Sequence, residues 1–352
     1  MTYANPFVFE ATRVPQPEGR WSYIRLDQNE NPDGLPQWFF DKTVKKITPQ
    51  LLSMYPEEQT FIDKYAERMG LDSSNVTMIN GSATAMETVF RVFGEKGKKF
   101  ITVTPTFGLY GLCGKMNGMI PVELPYREDF TFDTEQFIDA IDSDTGIVVL
   151  VNPNMPMGNV YEQKDIERII VKAKENGAMV VVDEAYHYFY KETSKNLVKK
   201  YDNLIVLRTF SKMFAMTSLR IGVFISCESN IRLLNNSIPH YTLTSVSILF
   251  GETLMDDYDK VLGELTETFE KGREYIYKAL DDNGYETIKG HGCFMCIRPK
   301  HRPSDYVTEE LKKRNILILN GKGYLTGFLR LTICDVKYME LFMNALLDID
   351  KE

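Results

Sequence analysis

The chain has 352 residues with 41 basic and 49 acidic side chains, which gives a formal net charge of −8. This length is enough for one large and one smaller hydrophobic core, so we expect two unequal domains. The acidic balance and the lack of a basic run exclude nucleic acid and membrane surfaces as partners. No apolar run approaches the roughly 20 residues that cross a bilayer, and the N-terminus lacks an export signal, so we expect a cytoplasmic protein with a small-molecule ligand.

Residues 1–35 are rich in proline, asparagine and aromatic side chains and show no helical or strand period. They are predicted to form an N-terminal arm that packs on other surfaces of the protein.

Residues 36–240 alternate short β-branched runs with amphipathic segments such as "YEQKDIERIIVKAKENG". Continuous apolar strands of this kind are typical of a mainly parallel sheet that is covered by helices on both faces. This part of the chain is therefore predicted to be a large α/β domain. The six predicted strands are "NVTMIN" at 75–80, "KKFITV" at 98–103, "TGIVVLVN" at 145–152, "AMVVVDEA" at 178–185, "NLIVLRTF" at 203–210 and "RIGVFIS" at 220–226.

Residues 241–352 change to a long helical stretch followed by three short apolar runs, "GCFMCIRP", "NILILN" and "FLRLTI". This order predicts a smaller α+β domain at the C-terminus. The chain has no glycine-rich dinucleotide fingerprint, and "GEKGKK" at 94–99 lacks the Walker spacing. Neither NAD nor ATP is therefore favoured as a ligand.

The five cysteines have irregular spacing, and their odd number suits reduced thiols better than a disulfide framework. Cys293 and Cys296 form a CxxC pair, but no second pair or paired histidine completes a zinc site. A buried strand is the simpler interpretation of this segment. We therefore predict no bound metal.

Polar residues follow the predicted strands at their carboxyl ends, which is where ligands bind in open α/β sheets. Small residues open a helix after the first strand, an acid and a tyrosine follow the fourth, and hydroxyls, a lysine and an arginine follow the fifth. Each has an ordinary alternative, since an acid can cap a helix and a lysine can be a solvated charge. These residues are Gly81, Ser82, Ala83, Asp183, Tyr186, Thr209, Ser211, Lys212 and Arg220.

Together these side chains provide what a pyridoxal phosphate site requires. A lysine forms a Schiff base with the cofactor's aldehyde, and a carboxylate keeps the pyridine nitrogen protonated so that the ring can accept electrons. Hydroxyls, an arginine and a helix N-terminus hold the phosphate. The sequence therefore predicts pyridoxal phosphate as the cofactor.

The chain resembles the fold-type I pyridoxal phosphate enzymes, and among them the class I/II aminotransferases similar to histidinol-phosphate aminotransferase. The matching pieces run over nearly the whole chain in the family's order: "LDQNENPDG", "MYPE", "NGSATAME", "TPTFGLY", "NPNMPMG", "VVVDEAY", "TFSKMFAMTSLRIG" and "FLRLTI". The resemblance implies this fold, this cofactor and a homodimer with shared active sites.

The resemblance also implies roles for individual residues. Lys212 would be the Schiff-base lysine, Asp183 the partner of the pyridine nitrogen and Tyr186 a donor to the ring 3-oxygen. Phe107 would stack on the ring face, and Tyr55 would reach the phosphate bound by the neighbouring subunit. The phosphate would be held by Ser82, Ala83, Thr209, Ser211 and Arg220, and the substrate's acidic group would meet Arg330. Apart from the resemblance, Asn29 is expected to shape the arm near the substrate, and its role is left open.

The sequence departs from this family at two places. Where relatives carry an asparagine in "NPNNPTG" that bonds the ring 3-oxygen, this chain has Met155 in "NPNMPMG". The segment "NILILNGKGY" also lacks the arginine that many relatives carry before the one matched by Arg330. These departures leave Tyr186 as the main partner of the 3-oxygen and leave the binding of a second acidic group of the substrate open.

We predict a pyridoxal phosphate-dependent aminotransferase that moves an amino group between an amino acid or phosphorylated amine and a keto acid or carbonyl acceptor. The alternative is a decarboxylase of a phosphorylated amino acid, similar to threonine-phosphate decarboxylase, and the change at Met155 favours it. A catalytically silent binding protein is a third hypothesis, but such a protein would be expected to lack Lys212 or Asp183, and both are present.

Overall fold

The computed structural model describes residues 6–8, 18–127 and 129–351, so residues 1–5 and 9–17 of the predicted arm lie outside it. The strands of the described residues are β1 (Ile24–Arg25), β2 (Val76–Asn80), β3 (Lys99–Thr104), β4 (Ile120–Pro125), β5 (Thr145–Val151), β6 (Met179–Asp183), β7 (Leu204–Thr209), β8 (Ile221–Ser226), β9 (Glu286–Ile288), β10 (Phe294–Arg298), β11 (Ile316–Leu317), β12 (Leu319–Asn320) and β13 (Leu329–Thr332). The α-helices are α1 (Gln37–Val44), α2 (Pro49–Ser53), α3 (Gln59–Met69), α4 (Gly81–Phe93), α5 (Leu109–Met116), α6 (Thr134–Ala140), α7 (Gln163–Glu175), α8 (Glu228–Ser237), α9 (Ser245–Asp256), α10 (Tyr258–Asp282), α11 (Ser304–Lys313) and α12 (Val336–Ile349).

A seven-stranded sheet forms the larger part of the fold, with the strand order β2-β8-β7-β6-β5-β3-β4. The strands from β7 to β4 are parallel, and β8 runs antiparallel to both of its neighbours. All six predicted strands lie in this sheet, so the prediction of a mainly parallel sheet is confirmed. The prediction missed β4, a largely exposed edge strand that carries Pro121 and Pro125, because prolines are tolerated at such an edge but hide the strand pattern.

Both faces of this sheet are buried under helices, as predicted. Successive residues of a strand point to opposite faces. In β5, Val148 and Leu150 lie in a core that includes α3, α7 and α9, whereas Ile147 and Val149 lie in a core that includes α4, α5 and α8. This double burial explains why the strands are continuous apolar runs.

A four-stranded antiparallel sheet, in the order β12-β13-β10-β9, packs with parts of α10, α11 and α12 around a further core. The arm joins this part of the molecule, because β1 pairs in parallel with β11 and Leu26 lies in the same core. The sequence prediction of helices and short strands after residue 241 therefore corresponds to a compact α+β layer.

Helix α10 connects the two layers. Val261 and Leu265 in its first half pack in the core of the large sheet, whereas Ile276 and Leu280 in its second half pack in the core of the small sheet. The domain divisions at 35/36 and 240/241 stay a prediction. Within residues 6–8, 18–127 and 129–351, no helix combines the length and apolar character that a membrane crossing needs.

Candidate active site

Strand register brings several strand ends to one edge of the large sheet. The parallel neighbours β6 and β7 end at Asp183 and Thr209. The antiparallel β8 begins at this same edge, because Gly222 pairs with Thr209 and Ile221 pairs with Asn80, the last residue of β2. The predicted site residues that flank these strand ends are therefore neighbours in space.

Asp183 is buried at the end of β6 and has two hydrogen-bond donors. The hydroxyl of Tyr110 in α5 donates to Oδ2 at 2.7 Å, and the Ala185 N–H donates to Oδ1 at 2.9 Å. Burial raises the pKa of Asp183 to about 6, although both hydrogen bonds act in the opposite direction. No lysine or arginine of the described residues forms an ion pair with this carboxylate. It is thus available to a positively charged group of a ligand.

Lys212 follows β7 and points into the site. Its Nζ donates to the carbonyl oxygen of Gln28 at 3.2 Å and lies 5.7 Å from the centroid of the Tyr186 ring. Burial lowers the pKa of Lys212, and the positive charges of Arg330 and Arg220 act in the same direction. A larger fraction of Lys212 is therefore neutral than of a surface lysine, and only the neutral amine is a nucleophile or base.

Three successive residues of the arm, 27–29, each bond one predicted site residue. Arg330 comes from β13 of the small sheet, whereas Lys212 and Tyr186 follow strands of the large sheet. The arm therefore bridges the two sheets at the site. The bonds run from Arg330 Nη2 to Asp27 O at 2.5 Å, from Lys212 Nζ to Gln28 O at 3.2 Å and from Asn29 Nδ2 to the Tyr186 hydroxyl at 2.8 Å.

The N-terminus of α4 lies beside Arg220. The residue before the helix, Asn80, makes no side-chain cap to its first N–H groups. A Cβ on Gly81 would lie 2.3 Å from Arg220 Nη2, so glycine is what lets the guanidinium reach this helix end. Gly81 also has a φ of +74°, which glycine adopts without strain. An uncapped helix N-terminus beside a guanidinium suits a phosphate.

Hydroxyl groups lie at the same edge. Thr209 Oγ1 accepts from the Ser211 N–H at 3.2 Å and lies 3.0 Å from Ser211 Oγ. A Cβ on Gly222, the strand partner of Thr209, would lie 3.0 Å from the Ser82 nitrogen, so β8 passes closely under the first turn of α4. The structure thus brings together the residues predicted for the phosphate from α4, β7 and β8.

Arg330 has no carboxylate partner in the described part of the chain. It is 8% exposed, its Nη1 donates to Met155 Sδ at 2.9 Å, and its Nε has no partner. A thioether sulfur is only a weak acceptor. Met155 therefore lies against the predicted substrate-binding arginine, whose Nη1 has only this weak acceptor and whose Nε has none.

Phe107 and Tyr55 are predicted site residues whose side chains are not among the hydrogen-bonded groups described above. Phe107 follows β3 and is 37% exposed, so its ring is not part of a core. Tyr55 is 75% exposed and stacks on Tyr241 with ring centroids 4.5 Å apart. The roles of both stay predictions.

The sequence analysis missed three groups of the site. These are the hydroxyl of Tyr110 and the carbonyl oxygens of Asp27 and Gln28. Tyr110 lies in the quoted segment "TPTFGLY", but an aromatic side chain in an apolar helix gives no signal of a bond to a carboxylate, and carbonyl groups carry no sequence signal. Cys293 and Cys296 are both buried, as the interpretation of a buried strand predicted.

Comparison with known proteins identifies the family of this chain. The model of the aminotransferase class I and II family matches residues 22–346. The chain belongs to the class I and II aminotransferases. It is similar to a histidinol-phosphate aminotransferase of Thermoanaerobacter pseudethanolicus, with 30% identity over 331 residues that cover 92% of each protein.

Solved structures of an aminotransferase and of a decarboxylase share the fold. The histidinol-phosphate aminotransferase of Sinorhizobium meliloti in complex with pyridoxal-5'-phosphate has a TM-score of 0.86 and 20% identity, covering 99% of this chain and 98% of its own. The L-threonine-O-3-phosphate decarboxylase of Porphyromonas gingivalis has a TM-score of 0.77 and 18% identity, covering 92% of this chain and 98% of its own. At such identities the likeness concerns the fold alone.

The protein is a pyridoxal phosphate-dependent aminotransferase, and the chemistry of its site fits this cofactor. The buried carboxylate of Asp183, which lacks a cationic partner in the described residues, suits a protonated ring nitrogen. The uncapped N-terminus of α4 beside Arg220 suits the phosphate. The lowered pKa of Lys212 suits attack on an aldehyde.

Proposed function

We propose that this aminotransferase moves an amino group between an amino acid or phosphorylated amine and a keto acid or carbonyl acceptor, as its histidinol-phosphate aminotransferase relatives are named for doing. The observation that carries the proposal is the Arg330 guanidinium, which is buried and bonds no carboxylate of the described residues. A buried cation without an anion is costly, so a carboxylate or other acidic group of the substrate is its natural partner.

The cofactor would be held by residues along the edge of the large sheet where β6 and β7 end and β8 begins. When bound, pyridoxal phosphate supplies an electron sink for the bond that breaks at the substrate's α-carbon. Lys212 would hold the aldehyde, Asp183 the ring nitrogen, Tyr186 the 3-oxygen and Phe107 one ring face. The phosphate would be held by Ser82, Ala83, Thr209, Ser211 and Arg220.

Lys212 would also move the proton in the reaction. A primary amine accepts a proton only when it is neutral, and burial favours the neutral form of Lys212. The substrate's amino group would first displace Lys212 from the aldehyde, and the freed Nζ would then take the proton from the substrate's α-carbon. Arg330 would hold the acidic group of the substrate, so that the α-carbon faces Nζ.

A second candidate activity, decarboxylation of a phosphorylated amino acid, would use the same site residues. By the family resemblance, Met155 stands where an asparagine near the ring is expected, and this change favours decarboxylation as the second candidate. The segment 315–324 also lacks the arginine that many relatives carry, so a second acidic group on the substrate would need other partners.

Transfer and decarboxylation can be separated on the holoenzyme. We expect that an amino acid or phosphorylated amine will bleach the yellow absorbance of the bound cofactor and yield the corresponding carbonyl product without release of carbon dioxide. The measurement is a panel of such amines, followed by cofactor absorbance, carbonyl product and evolved gas. Carbon dioxide release with unchanged absorbance would contradict transfer and support the decarboxylase.

We also propose a cytoplasmic homodimer with shared active sites. All five cysteines are free, which suits a reducing compartment. Tyr55 lies with Leu52 and Met54 in an exposed apolar segment and stacks on Tyr241, which is also exposed. Clustered exposed apolar side chains are typical of protein interfaces, and an obligate dimer buries more than about 2,000 Å² in total.

If Tyr55 bonds the phosphate held by the partner, Tyr55→Phe should weaken cofactor binding about tenfold or more, since a hydrogen bond to a charged group is lost. The test is cofactor titration, combined with co-expression of Tyr55→Phe and Lys212→Ala chains. A mixed dimer would contain one site with both native residues and should recover tight binding and activity at limiting cofactor.

The matched control is co-expression of Lys212→Ala with Asp183→Ala chains. Both residues belong to the same chain's site, so no combination of these chains contains an intact site and no activity should return. A monomer that turns over substrate, or a lack of recovery in the Tyr55→Phe mixture, would contradict the shared site.

A further inference from the structure

By the family resemblance, an asparagine at position 155 would donate to the cofactor's ring 3-oxygen, and this chain has Met155 there. A methionine cannot donate a hydrogen bond, and Met155 instead contacts Arg330. On the proposed function, Tyr186 is then the remaining side chain that donates to this oxygen. The position of the Tyr186 hydroxyl proton therefore matters more here than in relatives that keep the asparagine.

Asn29 determines the surroundings of the Tyr186 hydroxyl. The asparagine is 3% exposed, and its Nδ2 donates to the Tyr186 oxygen at 2.8 Å. Its backbone N–H donates to Thr332 Oγ1 at 3.0 Å, and Thr332 Oγ1 lies 3.4 Å from its Oδ1. Both ends of the amide are thus engaged, which fixes its orientation with the NH₂ group toward the tyrosine.

The backbone at Asn29 is held in an uncommon conformation. Its φ is +56°, in the left-handed region that few non-glycine residues adopt but asparagine tolerates. The residues before it are held in place by bonds from Arg330 and Lys212 to their carbonyl groups. A side chain held this firmly by its neighbours can orient a partner without moving itself.

The bond from Asn29 has a direct consequence for the tyrosine. Because the phenol oxygen accepts the amide hydrogen, its own O–H is left to donate to another acceptor in the site. A donor bonded to a phenol oxygen also makes that O–H a stronger hydrogen-bond donor. Burial raises the pKa of Tyr186, so the hydroxyl keeps its proton, while the bond from Asn29 acts in the opposite direction.

We propose that Asn29 is a positioning residue that directs the Tyr186 hydroxyl proton toward the cofactor's ring 3-oxygen and so offsets the donor lost at Met155. This inference rests on the proposed function, and it gives Asn29 a role beyond contact with the substrate. The other titratable or charged groups that face Tyr186 are Lys212, Asp183, Arg330 and Cys293. They are unchanged in the variants used to test it.

The readout is the pH midpoint of the visible absorbance of the bound cofactor, which reports the proton on the cofactor-bound nitrogen of Lys212. A donor to the 3-oxygen stabilises its negative charge and weakens its hold on that proton, so it lowers the midpoint. Asn29→Gly tolerates the left-handed backbone and removes only the amide. We expect it to raise the midpoint by about half to one pH unit, the size of one net hydrogen bond.

Two further variants test the direction of the effect. Asn29→Asp replaces the donor by an acceptor of the tyrosine proton, so the midpoint should rise by at least as much as in Asn29→Gly. Met155→Asn restores the missing donor and should lower the midpoint. An unmoved midpoint in Met155→Asn would show that residue 155 does not face the ring. Asn29 would then have no missing donor to offset, which would contradict that part of the proposal.

The decisive comparison uses Tyr186→Phe, which should raise the midpoint by itself. Adding Asn29→Gly to Tyr186→Phe should cause no further shift, because Asn29 is proposed to act only through the hydroxyl. A further shift in this double variant, or an unmoved midpoint in Asn29→Gly with cofactor bound, would overturn the inference. A failure of the unmodified protein to bind the cofactor would instead overturn the proposed function.

Discussion

We expect Lys212→Ala to lower the rate of amino transfer by about 10²- to 10⁴-fold through the loss of proton transfer alone. The variant also loses the amine that binds the cofactor's aldehyde, so the cofactor would remain bound only through its ring and phosphate contacts. The measurements are product formation at saturating cofactor and peptide mapping after borohydride reduction. In the native protein the reduced cofactor should be attached to Lys212.

The matched control is Lys278→Ala. This lysine is exposed on α10, where it pairs with Asp282 of the same helix, and it is not in contact with the site. Its loss should leave the rate and the labelling unchanged. Labelling of another lysine in the native protein, or a Lys212→Ala variant within tenfold of the native rate, would rule out the assigned role of Lys212.

Arg208→Met should lower the free energy of unfolding by about 3–5 kcal/mol, because it leaves a buried carboxylate without its partner. Arg208 donates from Nε and Nη2 to Glu184 Oε2 at 2.9 and 2.8 Å, and both side chains are buried. Glu184 directly follows Asp183, so the pair ties the end of β6 to β7. Equilibrium urea unfolding of both proteins at the same cofactor concentration measures the change.

The double variant Arg208→Met/Glu184→Gln separates the ion pair from packing. It removes the unpaired charge while keeping a side chain that can still bond Thr193 and the Ser194 N–H, the other partners of Glu184. It should therefore recover much of the lost stability. If the free energy of unfolding of Arg208→Met lies within about 1 kcal/mol of the native value, the loss is no larger than for an exposed ion pair. That result would show that this pair does not stabilise the fold.

The sequence predicted the large sheet well because its strands are buried on both faces and therefore appear as continuous apolar runs. It failed for β4, where one edge faces solvent and two prolines interrupt the run. It also gave no reason to place β8 antiparallel between β2 and β7, because strand direction depends on the connections rather than on the residues of the strand.

The same contrast holds for the site. Asp183, Thr209 and Lys212 could be predicted because the carboxyl ends of parallel strands meet at one edge. The bonds of the arm could not, because Asn29 lies 157 positions before Tyr186 and its side chain is placed by a left-handed backbone that leaves no sequence pattern. The contact of Met155 with Arg330 likewise joins residues 175 positions apart.

The contacts of the arm also determine when the site is complete during synthesis. The Leu26 N–H donates to Leu317 O and the Leu26 carbonyl accepts from the Thr332 N–H, while the Asn29 N–H donates to a side chain 303 positions later in the chain. At a synthesis rate of about 5–20 residues per second, these partners are synthesised on the order of tens of seconds after the arm. A nascent chain that already contains Lys212 and Asp183 therefore has an uncovered site, which closes only when β11 and β13 have left the ribosome.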